Sequence, residues 1–128
     1  SADSILRMIQ ATDPAWIGVS FNFGRWNDPE TLRSAIGKLG PHVFHTHVSC
    51  TDFDGFGNES AIDYAYALPA IAQRGFGGAL SIAYEGKSEL PDAGVARMRD
   101  LLVKLWIGKR MVPTIPPAAG AKISSSKK

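Results

Sequence analysis

Two histidines, His45 and His47, lie one residue apart in the run VFHTHVSC at 43–50. In an extended strand, residues i and i+2 point to the same face, so both imidazoles project together. A pair placed in this way can chelate a metal ion, exchange protons with a substrate, or hydrogen-bond within a polar interior. Arg25 offers a planar guanidinium that grips carboxylate or phosphate in bidentate fashion. Trp16 and Trp26 bracket the segment before Arg25 and beyond it. Trp26 could stack on a sugar face or pack at a rim. Cys50 beside two histidines raises the idea of a thiol nucleophile, but a regular strand puts it on the opposite face. Asp52, Asp54 and Gly55 read as a loop turn, either ordinary or folded around a ligand. His42 precedes the strand and reads as a surface residue.

The segments around these residues alternate in period. Asp3–Ala11 reads as a short helix, with Ile5, Met8 and Ile9 at helical spacing. Ala15–Phe23 reads as a strand in which Ile17, Val19, Phe21 and Phe23 form a large apolar face. Gly18, Ser20 and Asn22 form a small polar one. Asp28-Pro29-Glu30 opens a helix with a capping carboxylate and proline in the first turn. Leu32, Ile36 and Leu39 are its buried stripe, and Gly40 is its stop. A second strand runs His42–Ser49, with Val43, His45, His47 and Ser49 on one face. A loop covers 50–60, and a helix follows over Ile62–Arg74 with Pro69 inside, which predicts a kink or a late start. Ala79–Glu85 is a third strand: Leu80, Ile82 and Tyr84 face one way, and Ala79, Ser81, Ala83 and Glu85 the other. A last helix spans Asp92–Ile107, with Val95, Met98, Leu102 and Leu105 inward. Strands joined by helical crossovers predict an α/β fold with parallel strands in right-handed units.

Composition bounds what such a chain can be. Its 128 residues, 45% hydrophobic, suffice for one domain with a buried core. Lys109, Arg110, Lys122, Lys127 and Lys128 form a tail without acids, leaving nine basic against twelve acidic residues in 1–108. A basic tail can meet phosphate or an acidic partner, but no stacking aromatics interleave with these lysines, so a solvated end is the reading and nucleic acid is not expected. The single Cys50 excludes an internal disulfide. No apolar run nears membrane-spanning length and no signal segment opens the chain, so no membrane partner and a cytoplasmic location are expected.

Three segments in order resemble the sugar isomerase/epimerase group of xylose-isomerase-like (β/α)8 TIM barrels, which share their fold with endonuclease IV. IGVSFNFGRW at 17–26 resembles the strand ending in Asp-x-x-His. VFHTHVSC at 43–50, followed by DGFG at 54–57 and Ile62-Asp63-Tyr64, resembles the strand ending in His-x-x-Asp. GFGGALSIAYEG at 75–86 resembles the Gly-rich strand that carries the last Glu. The likeness covers about residues 15–107 and implies family strands six to eight of a partial barrel over 1–108, with 109–128 a basic Pro/Ala/Ser-rich tail. A whole barrel needs roughly 200–250 residues or more. The resemblance therefore implies that a second chain or further copies complete it, or that this is an excised fragment.

The resemblance also implies a site. The family holds a divalent ion (Mn, Mg, Co or Zn) and moves a proton between adjacent sugar carbons. Here the Asp position is Asn22, the His three residues on is Arg25, the His ligand is kept as His47, the next Asp is Cys50 and the final Glu is Ala83. Glu85, two residues nearer the mouth on the same face, is the nearby replacement. The expectation is a sugar isomerase or epimerase with a degraded metal site. Its catalytic residues are His47, Glu85 and His45; its substrate-binding residues are Asn22, Arg25 and Trp26; its weak metal ligands are His47, Asn22 and Glu85. The alternatives are a non-catalytic subunit or interaction module, and a metal-independent lyase or hydrolase using His47 or His45 as base.

Overall fold

The computed structural model describes residues 1–26 and 28–108; the tail expected over 109–128 lies outside the described residues. The elements are α1 (Ala2–Gln10), β1 (Val19–Asn22), α2 (Pro29–Leu39), β2 (Val43–Cys50), α3 (Tyr64–Gln73), β3 (Leu80–Tyr84) and α4 (Pro91–Gly108). The strands form one parallel sheet in the order β1-β2-β3. The α/β alternation expected from sequence is therefore present. Helices meet their neighbours in succession, α1 on α2, α2 on α3, α3 on α4, and α4 lies against β3.

The sheet has two unlike faces. Val19 and Phe21 of β1, and Thr46, Val48 and Cys50 of β2, are buried, and Leu80, Ile82 and Tyr84 of β3 pack against the same core. The helices close this face with Leu32, Ala35, Ile36 and Leu39 of α2, Ala67, Leu68 and Ile71 of α3, and Met98, Leu101, Leu102 and Leu105 of α4. At about 25 cal/mol per Å² of apolar surface removed from water, this shared layer is the main force holding the strands. The other face carries Ser20, Asn22, His45, His47, Ser81 and Ala83, which are half-buried or exposed. A sheet that is apolar on one side and polar on the other sets one face toward helices and the other toward solvent or a polar lumen.

Several boundaries and faces differ from the sequence reading. β1 starts at Val19, because Asp13-Pro14 makes a turn whose Asp13 carbonyl accepts from Trp16 and Ile17 N–H. Phe23 is buried, yet it belongs to a one-turn helix, Phe23–Arg25, capped by Asn22. Met8 is exposed, since α1 buries Ala2 and Ile9 with Ile5 and Leu6 beside them, a stripe one position off. Val95 is exposed for the same reason: Gly94, one position earlier, is the buried residue of that turn, and Leu101 joins Met98, Leu102 and Leu105 inside. Gly40 ends α2 in right-handed geometry and leads straight into a one-turn helix, Gly40–His42. Its missing Cβ makes room for the Arg74 side chain, which passes 2.6 Å from where a Cβ would stand. α3 starts late, at Tyr64, where the Asp63 carboxylate accepts from Tyr66 N–H, and Pro69 stays within it. Among the described residues no helix is long and apolar enough to cross a membrane.

Candidate functional site

Register brings the polar residues of three strands into adjacent rows. Ser20 pairs with His45, Asn22 with His47, His47 with Ser81, and Ser49 with Ala83. From Ser20, His45 and Ser81 onward the alternation read in the strands merges into one polar surface centred on β2; at the start of β2 it fails, because a register irregularity leaves Val43 in the core and Phe44 exposed. The His45 and His47 rings lie 4.9 Å apart, edge to face. His45 Nε2 is hydrogen-bonded to Ser81 Oγ at 2.9 Å, so a hydroxyl on β3 fixes the orientation of an imidazole on β2.

Asn22 is committed to structure. Its Oδ1 accepts from Gly24 N–H at 2.9 Å and from Ser49 Oγ at 2.9 Å. The first bond caps the one-turn helix after β1; the second ties β1 to the end of β2. Gly24 is required here, because a Cβ would stand 2.8 Å from Ser49 Cβ. The buried Tyr64 hydroxyl donates to the Ser49 carbonyl, which carries the same network into α3. Burial and then the charges of Glu59 and Cys50 push the Tyr64 phenol well above its ordinary range.

The loop after β2 is organised by a residue that composition did not single out. Glu59 is buried, and its carboxylate accepts from Thr51 N–H and Oγ1 at 3.0 Å each, Ala61 N–H at 2.8 Å and Ile62 N–H at 2.6 Å. The only local sign is its place before two orphan N–H groups ahead of α3. Asp54 makes the tip as an Asx turn, accepting from Phe56 and Asn58 N–H, and these bonds hold its carboxyl below the usual range. Gly57, at φ +83°, completes the turn. Asp52 bonds Ser88 of the next loop, and Gly86 passes so close to the Thr51 carbonyl that no side chain fits.

The expected site residues divide. His45, His47 and Asn22 come together on the open face. Glu85 lies past the end of β3, exposed, with its backbone N–H on the Cys50 carbonyl. Arg25 is exposed on the one-turn helix. Trp26 stacks on Phe21, with ring centres 5.7 Å apart, which sets it on the helical side of the sheet and away from the histidines. Cys50 is buried among the helices, its thiol donates to the Ala83 carbonyl at 3.7 Å, and burial, followed by Glu59 and Glu85, pushes it up to about 11. That environment disfavours the thiolate a nucleophile needs. Ser81 and Ser49, both on the polar faces read from the sequence, complete the cluster.

The donor set does not fit the oxygen-rich ion of the resembled family. Asn22 Oδ1 has two donors already, Ala83 has no ligand atom, and Glu85 stands beyond the strand; among the described residues no three His, Cys, Asp or Glu side chains converge. The clefts of about 370, 420 and 220 Å³ lie between helices and loops and are not lined by the histidines. The open face needs a further wall before it encloses anything. No family model matches this chain, and no curated protein matches it.

Proposed function

We propose that the chain is the C-terminal part of a xylose-isomerase-like TIM barrel, with β1, β2 and β3 as its sixth to eighth strands. Its polar face handles a sugar or sugar-derived substrate by proton transfer. The observation that carries this reading is the joining of Ser20, Asn22, His45, His47 and Ser81 into one surface opposite a helical layer. A doubly wound sheet would bury that face beneath a second layer of helices, whereas a barrel turns it to its own interior, where site residues gather at the C-terminal ends of the strands. Imidazole, hydroxyl and amide groups in neutral company suit a polyol, and imidazole moves protons near neutrality. In this reading His47 and His45 are the acid and base, Ser81 orients His45, and Arg25 meets an anionic group at the mouth. No step passes through the family's metal. In this reading the remaining strands come from a second chain, from further copies, or from a longer protein of which these residues are a segment.

Saturation-transfer NMR with aldoses, ketoses and sugar acids tests it. Transfer to sugar protons is expected, with affinity falling at least tenfold in His47→Gln. Absence of transfer from every sugar at millimolar concentration overturns it. The double engagement of Asn22 Oδ1 favours a second reading, a non-catalytic module that keeps the scaffold. Sugar binding without hydrogen exchange at the carbon next to the carbonyl in D₂O would select that reading.

A further inference from the structure

We infer that His45 and His47 form a two-imidazole chelate for a borderline divalent ion of the zinc, nickel or copper kind. This donor pair differs from the set the family resemblance implies, in which His45 has no part and carboxylates dominate. A metal–imidazole nitrogen bond is about 2.0–2.1 Å, which sets the ion about 3.2 Å from each ring centre. Two rings sharing one ion at the tetrahedral angle of about 109° then stand about 5.2 Å apart. The observed ring separation is 4.9 Å. The strand, by projecting residues i and i+2 together, therefore brings the rings close to the spacing of a shared ion, and their edge-to-face setting at 78° means that one ring turns about χ2 to aim its nitrogen at it.

The surroundings decide which ion. The neighbours on this face are Ser20, Asn22, Ser49, Ser81 and Ala83, all neutral. Neutral nitrogen donors without a carboxylate favour zinc, nickel and copper over magnesium or manganese, which require hard anionic oxygen. Ser81 Oγ bonds His45 Nε2, which leaves Nδ1 as the ligating nitrogen. A hydrogen bond to the far side of a ligating imidazole is the usual device that orients it. Both rings are half-buried on the open face, so an ion reaches them. Water fills the remaining coordination positions.

Titration of the whole chain with zinc chloride by calorimetry tests the site. One ion per chain at micromolar affinity is expected, weakened at least tenfold in His45→Gln and in His47→Gln. Ser81→Ala should also weaken it by about tenfold or more, the scale of lost outer-shell support. A second readout uses the unmodified chain: substoichiometric nickel should broaden the ring protons of His45 and His47 before those of His42. No stoichiometric zinc binding, retention of affinity in both glutamine variants, or first broadening at His42 each overturns the chelate. The inference does not rest on the sugar reading: zinc binding without sugar binding keeps the one and removes the other.

Discussion

Four donors converge on Glu59, and each would be left without its partner if the carboxylate were removed. Unsatisfied buried donors cost about 1–3 kcal/mol apiece in the least relaxed case, so Glu59→Ala should lose about 2–4 kcal/mol by urea denaturation, with Glu59→Gln losing less. Cys50 gives a pH dependence of known sign. Its thiol moves from 9.0 to about 11 on folding, so the folded state holds its proton more tightly than the unfolded chain. That stabilisation is complete below pH 9 and is lost as pH rises toward 11, amounting to about 2–3 kcal/mol. Urea midpoints at pH 8 and 10.5 measure it, and Cys50→Ala should remove the part of the fall due to this thiol. At this scale the sequence was partly legible. Parity alone placed His45 and His47 together and Cys50 behind them. Glu59 stayed hidden because its partners, Thr51, Ala61 and Ile62, are brought to it by the path of a loop, and loops leave no periodicity. Trp26 went to the helical side because Phe21 offered it a ring to stack on, a tertiary contact that local sequence does not record.

Elements were legible where hydrophobic period and caps agreed. Asp28 and Pro29 open α2 as read, with Asp28 Oδ1 accepting from Thr31 N–H at 2.9 Å. The misreadings at Met8 and Val95 are phase errors of one position, in helices with several apolar candidates for each inward place. The packing of α4 on β3 shows what the helical pattern leaves out. Gly94 is a poor helix former near the start of α4, yet a Cβ there would stand 2.4 Å from the Tyr84 ring. Gly94→Ala gains about 1 kcal/mol in helix propensity but forces Tyr84 aside, at about 1–3 kcal/mol for overpacking. A net loss of about 1 kcal/mol is expected by thermal or urea unfolding, with loss of the Tyr84 hydroxyl's bond to Glu89 N–H. Gly94→Ala combined with Tyr84→Leu should recover part of it, because the shorter side chain vacates the collision.

Among the described residues, β1 and β3 are the sheet edges and the polar face has no covering layer. Unpaired parallel edges invite further strands, so the purified chain at tens of micromolar should show a mass above the 13.7 kDa monomer by light scattering. A monodisperse monomer would argue that the edges are protected without a partner strand and would weaken the shared-barrel reading. The alternation of strands and helices made the α/β class readable from sequence. Barrel closure was not readable, because three parallel strands do not specify what pairs with their edges. The braced loop at the end of β2 has a kinetic consequence as well. Phe56 is 85% exposed at its tip, an inviting site for chymotrypsin. A protease must draw about ten residues into extended form to cut, and Asp54 and Glu59 hold that stretch closed at both ends. Cleavage after Phe56 should therefore be slow in the unmodified chain and fast in Glu59→Ala, so that the rate of one cut becomes a clock for how often the loop lets go.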